Sequence, residues 1–383
     1  MDNKLIKRYL EPQVACDFDK GKLILILGPR QAGKTTLVKQ FRNFNGQKTV
    51  YYNCDLDQDR NLLKENNIAP LRNAVAPYEL IIIDEAQRLP EPGLTLKILI
   101  DNFPEKNFLV TGSLSLSLVG KVRESMTGRY LPHIMLPISY AELGNHIGRQ
   151  EVISRLSDLL IYGSYPNIVT MENVHERMTL LGTIVSNYLL SDLLQSTDIR
   201  NEEALRTVLR LLALQLGNEV SLNEVAREAG IDLETLRRYL FLLEESFVLF
   251  SLPPYESNIR KTIHRKQKYY FVDLGIRNAI IGDFRPLELR GDVGGLWENA
   301  MMVERKKRNS AQNFFATSFF YRSYTGVELD LFERGSKGER ATFEIKWSEG
   351  KVGKAAKEVS TGELTAGDPT IVNKDNFPGF VGM

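Results

Sequence analysis

One short stretch near the start of the chain constrains its fold more than any other. It runs Gly28-Pro29-Arg30-Gln31-Ala32-Gly33-Lys34-Thr35-Thr36 and matches the pattern G-x-x-x-x-G-K-S/T. The run 23–27 before it is wholly apolar, as expected of a buried parallel strand, and the residues after it favour a helix. A strand, a glycine-rich loop and a helix in this order predict a phosphate-binding P-loop.

The residue types in this loop suit phosphate chemistry. Gly28 and Gly33 let the backbone turn back and aim several N–H groups at one anion. Lys34 is a point charge that reaches the β- and γ-phosphates, and the Thr35 hydroxyl is a ligand for the Mg²⁺ that bridges them. The residues predicted to hold the nucleotide are Gly28, Pro29, Arg30, Gln31, Ala32, Gly33, Lys34, Thr35 and Thr36.

A second motif adds groups that hydrolysis needs. The apolar run 80–83 ends in two carboxylates, Asp84 and Glu85. In a P-loop fold an Asp at the carboxyl end of a strand holds the Mg²⁺, directly or through water. Glu85 is a candidate general base that polarises the attacking water. Because acidic turns after strands are common, this motif indicates hydrolysis only in combination with the P-loop.

Alternating strands and helices over the first part of the chain predict a parallel sheet with ligand sites at the strand carboxyl ends. Thr111 and Ser113 fall at such an end, where one of them either senses the γ-phosphate or caps a turn. Arg129 follows as a charge-stabilising arginine, in cis or against a neighbouring subunit, or as an ordinary surface residue. The catalytic candidates are Lys34, Glu85, Ser113 and Arg129.

Composition narrows the class of protein. The 383 residues predict two or three domains, and 43% hydrophobic with 25% charged residues is typical of globular proteins. A net charge of +1 gives no overall attraction to nucleic acid or to a membrane. Cys16 and Cys54 suit a reducing compartment, and neither a signal-peptide core nor a bilayer-spanning run is present. We expect a cytoplasmic protein without a membrane partner.

The middle of the chain has a different pattern. Residues 150–200 are expected to form a helical connector, and two short helices around Gly230 predict a helix-turn-helix. Ser221 and Glu224 have capping-box spacing at the start of the first of these helices. Strands at 247–250 and 269–272 would form a wing. The stretch 260–268 is the most basic of the chain, and it either follows a phosphate backbone or is a solvated hairpin tip. Residues 233–268 are therefore a candidate DNA-binding region, with a protein contact as the alternative.

The last part of the chain carries a carboxylate-and-lysine pattern. Asp330 precedes Glu344-Ile345-Lys346, and Glu344 and Lys346 share one face because a strand has period two. Two carboxylates with a lysine match the spacing of metal-dependent nucleases, and Glu298 on a predicted helix is a candidate third ligand. Alternating charges on an exposed strand are the other interpretation.

Together these residues resemble one family, the bacterial and archaeal P-loop ATPases that join an AAA-type domain to a C-terminal domain of unknown function. That domain resembles restriction endonucleases, and a winged helix usually lies between. The matching stretches span nearly the whole chain: GPRQAGKT (28–35), IIDEAQ (82–87), TGS (111–113), TGR (127–129), PISYAE (137–142), YGSYP (162–166), DLG (273–275), EN (298–299), ELD (328–330) and EIK (344–346).

The resemblance implies ATP with Mg²⁺ as ligands and a nuclease-like C-terminal fold, while leaving cleavage open. The predicted fold class is α/β: a P-loop parallel sheet at 1–150, a helical connector and winged helix-turn-helix at 151–268, and a small restriction-endonuclease-like α/β domain at 269–383. The predicted function is a Mg²⁺-dependent ATPase acting as a nucleotide-controlled switch. The alternatives are an ATP-regulated DNA nuclease and a DNA-binding regulator.

Overall fold

A computed structural model describes residues 5–64, 67–112, 126–186, 201–256, 266–323 and 326–383. Their packing separates them into two compact units. The P-loop unit runs to Pro137 and includes 245–247, and the C-terminal unit comprises 138–186, 201–244 and the chain from Val248 onward. The three domain boundaries predicted from the sequence remain predictions.

The P-loop unit is built on a parallel sheet with the strand order β2-β3-β4-β1-β5. Every residue of β1, β3 and β4 is buried, which explains why these strands read as continuous apolar runs. This sheet confirms the predicted P-loop α/β class. The strands are β1 (Leu23–Leu27), β2 (Thr49–Asn53), β3 (Leu80–Asp84), β4 (Asn107–Gly112) and β5 (Tyr130–Ile134).

Helices cover both faces of this sheet. Alternate residues of β1 point to opposite sides, so that Ile24 and Ile26 pack with α1 and α2 while Leu23 and Leu25 pack with α3, α4 and α5. The helices are α1 (Leu10–Asp17), α2 (Lys34–Gln40), α3 (Asp57–Leu63), α4 (Ile68–Val75) and α5 (Pro92–Asn102), with 3-10 turns at Phe41–Gly46 and Ala86–Arg88.

The C-terminal unit begins with short helices. The first is closed by a capping box in which Ser139 and Glu142 bond each other's backbone N–H groups. The capping box predicted at Ser221 does not form, because the Ser221 side chain makes no cap bond. The helices are α6 (Tyr140–Ile147), α7 (Arg149–Ser154), α8 (Leu156–Tyr162), α9 (Pro166–Thr170), α10 (Val174–Thr183), α11 (Glu202–Leu214), α12 (Leu222–Glu228), α13 (Leu233–Glu245), α14 (Leu274–Ile281), α15 (Val293–Ala311), α16 (Lys354–Thr361) and α17 (Phe377–Val381), with a 3-10 turn at Leu287–Leu289.

Two sheets belong to the C-terminal unit. A three-stranded antiparallel sheet has the order β6-β8-β7, from β6 (Glu219–Val220), β7 (Leu249–Leu252) and β8 (Gln267–Phe271). A four-stranded sheet has the order β12-β11-β10-β9, from β9 (Ala316–Arg322), β10 (Glu328–Gly335), β11 (Arg340–Ile345) and β12 (Thr370–Val372), with β12 parallel to β11. A helical region and a separate small sheet domain are thus present. The winged-helix and endonuclease-like interpretations stay predictions.

Over the ranges given above, the structure contains no helix that is both long enough and apolar enough to cross a membrane.

Candidate functional site

The loop after β1 holds the Lys34 side chain in a buried position, where it donates to two backbone carbonyls. Gly33 has φ 98°, a conformation that favours glycine. The Lys34 side chain is 3% exposed, and its Nζ donates to the carbonyl oxygens of Gly28 and Pro29, both at 2.9 Å. Because these acceptors carry no charge, a phosphate oxygen can replace one of them without leaving a buried anion behind.

A glycine is needed at position 28 because two backbone segments lie in direct contact there. The Met135 N–H donates to the Leu27 carbonyl at 2.7 Å, and a Cβ at residue 28 would lie 2.0 Å from the Met135 carbonyl oxygen. No side chain fits between the two backbones. Gly28 therefore lets the segment after β5 pack directly against the start of the P-loop.

Arg8 supports the same loop. It is 9% exposed and donates from Nη1 to the Ala32 carbonyl at 2.8 Å and from Nη2 to the Leu136 carbonyl at 2.5 Å. The guanidinium thus joins the P-loop to the segment that follows β5. Sequence analysis missed Arg8 because these contacts link residues far apart in the chain and follow no local motif.

Asp84 is held by two hydroxyl groups at the carboxyl end of β3. Its side chain accepts a hydrogen bond from the Tyr51 hydroxyl at 2.6 Å and another from the Thr111 hydroxyl. Burial, followed by the bond to Asp84, raises the pKa of Tyr51 above its usual range, so this phenol remains a donor. Thr111 reaches Asp84 because β4 lies beside β3. Ser113, its predicted neighbour in the site, lies outside the described residues.

Glu85 takes an uncommon backbone conformation. Its φ is 56°, and its N–H donates to the Thr111 hydroxyl at 3.0 Å. Its carboxylate accepts a hydrogen bond from Gln87 Nε2. A non-glycine residue in the left-handed region is often found at a functional site, where the surrounding structure holds the strain.

The groups that would hold Mg²⁺ with a nucleotide fit that ion. The Asp84 carboxylate is buried at the edge of the sheet from which the P-loop leaves, and Thr35 is the second residue of α2. A carboxylate and a hydroxyl are the oxygen donors that Mg²⁺ prefers. The pair therefore suits a magnesium ion shared with phosphate.

The structure places Arg129 too far from the P-loop of its own chain for the predicted role of stabilising phosphate charge there. Its carbonyl accepts the Leu23 N–H at 2.9 Å, which places Arg129 at the amino end of β1. The P-loop leaves the other end of this strand, roughly 13 Å away at the usual rise per residue. The side chain instead pairs with Asp101 at 2.6 Å. Arg129 thus cannot stabilise phosphate charge on its own P-loop, and a role against a neighbouring subunit stays a prediction.

The C-terminal carboxylates that the sequence singled out come together. Lys346 Nζ lies 2.8 Å from Glu344 Oε1, and the Ile345 N–H donates to Asp330 Oδ2 at 2.7 Å. The pairing of β10 with β9 shifts register between Leu329 and Phe332, which places a bulge at Asp330. Bulges commonly re-aim a side chain next to a functional site.

Lys268 joins this cluster, which the sequence did not predict. Its Nζ lies 2.8 Å from Glu328 Oε1, 3.2 Å from Glu298 Oε1 and 4.0 Å from Asp330 Oδ1. Its side chain is 2% exposed. Lys268 was counted in the basic stretch predicted to contact DNA, and its burial removes it from that surface. Residues 260–265 of the stretch lie outside the described residues.

The electrostatics of this carboxylate cluster are those of a closed ion-pair network. Burial and the neighbouring Glu298 carboxylate raise the pKa of Asp330 to about 7, against the opposing effect of Lys268. Burial lowers the pKa of Lys268, but the carboxylates of Glu298, Glu328 and Asp330 outweigh it and raise that pKa.

Within the part of the chain that the structure describes, no group of three or more His, Cys, Asp or Glu side chains is arranged to hold a metal ion. The predicted metal ligands Glu298, Asp330 and Glu344 are neighbours, and their role as ligands stays a prediction. The Lys268 ammonium lies within 4.0 Å of both Glu298 and Asp330.

One helix of the middle region presents charged and aromatic groups to solvent. Helix α13 is capped by Asp232, whose carboxylate accepts the Thr235 N–H at 2.8 Å. Arg237, Arg238 and Phe241 are exposed on this helix. Phe241 lies four residues after Arg237 and three after Arg238, so each arginine shares a face of the helix with Phe241.

Comparisons with known proteins agree with the P-loop unit. Residues 20–144 match the family model described as AAA domain, and residues 153–286 match a domain of unknown function (DUF8612). The predicted resemblance to AAA-type P-loop ATPases is thereby confirmed over residues 20–144, and this match supports ATP binding and an ATPase at the level of the family.

The curated relatives are uncharacterized proteins. One from Mycobacterium tuberculosis is 29% identical over 331 residues, which cover 85% of this chain and 70% of the relative. One from Methanocaldococcus jannaschii is 22% identical over 88% of this chain and 76% of its own length. A solved Signal Transduction ATPase with Numerous Domains from Pyrococcus horikoshii overlaps 81% of this chain and 48% of its own, at 11% identity and a TM-score of 0.29. A superposition at this level carries no argument.

Proposed function

We propose that this protein is a Mg²⁺-dependent ATPase that acts as a nucleotide-controlled switch, in which the P-loop unit passes its state to the C-terminal unit. The P-loop supports ATP as the ligand. Lys34 is poised on neutral carbonyls that a phosphate can replace. Asp84 and Glu85 end the strand β3 at the same edge of the sheet. Asp84 and Thr35 would hold Mg²⁺ with the nucleotide, and the ion would neutralise part of the phosphate charge.

The chain's own residues divide the remaining work. Lys34 binds and orients the β- and γ-phosphates, which positions the γ-phosphorus for attack. Glu85 accepts a proton as water forms its bond to phosphorus and the bridging oxygen leaves with ADP. Thr111 holds both acidic residues through its hydroxyl group. Gln87 Nε2 donates to one oxygen of the Glu85 carboxylate and so orients it.

The observation that carries the switch is the junction at residues 135–142. Met135 packs against Gly28, and the Leu136 carbonyl is bonded to Arg8, which also holds the P-loop carbonyl of Ala32. The P-loop unit ends at Pro137. The junction therefore starts in direct backbone contact with the nucleotide loop.

The other half of the junction is anchored in the C-terminal unit. The Ile138 carbonyl accepts from Lys307 Nζ at 3.0 Å, and the Tyr140 N–H donates to Glu304 at 2.7 Å. Lys307 and Glu304 are themselves a buried ion pair at 2.7 Å. Because both halves are tightly held, a shift of the P-loop is expected to move groups that the C-terminal unit has fixed.

Hydrogen–deuterium exchange tests this proposal. A non-hydrolysable ATP analogue with Mg²⁺ should change the protection of 135–142 in the parent chain. The Lys34→Ala variant should show no such change at the same nucleotide concentration. If nucleotide protects the P-loop but leaves 138–142 unchanged, the ATPase proposal survives and the coupling does not.

A DNA-binding regulator is the second candidate. The order α11, β6, α12, α13, β7, β8 supports a winged helix, and Arg237 and Arg238 are exposed on α13. A gel-shift titration at several salt concentrations tests it, since phosphate contacts make affinity fall steeply with salt. Replacing both arginines by Ser should flatten the slope. Absence of any shift at low salt would favour a protein contact in a cytoplasmic assembly.

A further inference from the structure

We propose that Lys268 takes the place of a divalent cation in the carboxylate cluster, so that the C-terminal unit neither binds Mg²⁺ there nor cleaves DNA. The sequence pattern of Asp330, Glu344 and Lys346 points to a nuclease site. The three-dimensional arrangement points to a site that has its own internal cation. Four observations support this assignment.

The first observation is the position of the ammonium group. Lys268 Nζ is within 4.0 Å of carboxylate oxygens from Glu298, Glu328 and Asp330, which come from two elements, α15 and β10. A metal ion bridging Glu298 and Asp330 would have to lie beside this ammonium. Two cations at that separation in a buried site repel strongly. Metal binding therefore requires Lys268 to leave.

The second observation is that Lys268 has no open route outward. Its side chain is 2% exposed and its ammonium lies 5.4 Å from the centre of the Phe320 ring. The residue sits on β8, the central strand of the three-stranded sheet. Moving the ammonium would break ion pairs and disturb a strand bonded on both sides, so the lysine is a structural counter-ion.

The third observation is that the carboxylates are tied into the fold. Glu298 Oε1 also accepts from the Tyr270 hydroxyl at 2.6 Å, and a Cβ at Gly217 would lie 2.7 Å from Glu298 Oε2. The Ile345 N–H occupies Asp330 Oδ2. These contacts hold the carboxylate oxygens in place around the position that the Lys268 ammonium occupies.

The fourth observation concerns Glu344. Lys346 pairs with Oε1, while Oε2 is buried without a hydrogen-bond partner. One ligand oxygen is thus available where a metal would sit, yet the described residues assemble no metal site around it. Removing the Lys268 charge should complete the site, because the carboxylates of Glu298 and Asp330 would then lack a cation.

The ion pairs of the cluster also hold three parts of the C-terminal unit together. Lys268 brings β8 of the three-stranded sheet to α15 and to β10 of the four-stranded sheet. The ion pairs therefore join the region next to the helix-turn-helix to the small sheet domain. This inference is independent of the ATPase proposal.

Manganese binding to the nucleotide-free chain tests the inference. The parent should have no Mn²⁺ site that depends on Asp330, so its Mn²⁺ binding should equal that of the Asp330→Asn variant. Lys268→Met, which removes the charge and keeps the length of the side chain, should gain one Mn²⁺ site. The gained site should disappear in the Lys268→Met/Asp330→Asn double variant. Lys346→Met is the matched control, because it removes the more exposed lysine of the same cluster and should gain no site.

Folding and cleavage give two further readouts. Mn²⁺ should raise the melting temperature of Lys268→Met and leave that of the parent unchanged. If Lys268→Met folds only when Mn²⁺ is present during refolding, that result also supports the inference. A folded Lys268→Met without a Mn²⁺ site would overturn it. So would metal-dependent nicking of plasmid DNA by the parent that Asp330→Asn abolishes.

Discussion

Two of the buried lysines among the described residues, Lys34 and Lys268, differ in their partners. Lys34 in the P-loop donates to two neutral backbone carbonyls, whereas Lys268 in the C-terminal unit lies among three carboxylates. Both side chains are almost fully buried. The contacts described here thus differ in the charge of the partner groups, and from this difference we expect Lys34 to be the lysine that accepts a phosphate.

A lysine on neutral carbonyls can exchange them for phosphate, and its charge becomes better compensated as it does so. A lysine among carboxylates is already compensated, and pulling it away would leave buried anions. Breaking a buried ion pair costs about 3–5 kcal/mol, whereas the net contribution of a hydrogen bond between neutral groups is about 1 kcal/mol. We therefore expect the P-loop to exchange its carbonyl contacts for a ligand and the carboxylate cluster to stay closed.

The largest expected effect is on hydrolysis in the P-loop unit. Glu85→Gln should retain ATP binding and reduce kcat by roughly 10²–10⁴-fold, because it removes only the proton acceptor. Steady-state phosphate release together with calorimetric ATP binding measures both quantities. Glu105→Gln, at the opposite end of the sheet, is the control. If Glu85→Gln hydrolysed ATP as fast as the parent, Glu85 would not be the base. Asp84 or Gln87 would then be the candidate that positions the water.

The next effect sharpens the contrast between the two lysines. Lys34→Ala should weaken ATP binding by about 1.5–3 kcal/mol, the range for hydrogen bonds to charged groups. Urea unfolding should show a smaller loss of stability for this variant than for Lys268→Met, which leaves carboxylates unpaired. Lys22→Ala, an exposed lysine before β1, serves as the control for both measurements. If Lys34→Ala and Lys268→Met lowered the free energy of unfolding equally, the proposed difference between the two lysines would be wrong.

A smaller effect is expected at Tyr51. Tyr51→Phe removes one of the two hydroxyl donors to Asp84, so the Mg²⁺ concentration for half-maximal turnover should rise by about fivefold, equivalent to about 1 kcal/mol. Tyr52→Phe is a matched control, since the Tyr52 hydroxyl donates to the neutral Ala74 carbonyl at 2.8 Å. Urea unfolding should respond to both substitutions, whereas the Mg²⁺ dependence should respond to Tyr51→Phe alone. An unchanged Mg²⁺ dependence would mean that Thr111 is sufficient to position Asp84.

The smallest effect is expected at Arg129. Arg129→Ala should leave ATP affinity and dilute-solution turnover unchanged within about twofold, because the side chain lies at the far end of the sheet and forms a partly exposed pair with Asp101. Turnover should be measured over a range of protein concentrations. A loss that appears only at high concentration would indicate a role against a neighbouring subunit. A loss at every concentration would contradict the placement described above.

Local patterns predicted much of the fold. Strands β1 and β3 lie where the apolar runs 23–27 and 80–83 predicted them. The capping boxes show the limit of such patterns. Ser139 and Glu142 have the same spacing as Ser221 and Glu224, but only the first pair closes. The spacing permits the two bonds, and the local geometry at the start of each helix decides whether they form.

The candidate sites divide in the same way. The sequence alone determined the P-loop, the acidic pair after β3 and the shared face of Glu344 and Lys346, because each depends on neighbours in one loop or one strand. Only the tertiary structure placed Arg129 away from the phosphates, Tyr51 on Asp84 and Lys268 among the carboxylates. Those contacts depend on strand order and on which charges are desolvated together. Neither property is encoded in the spacing of residues along a single element.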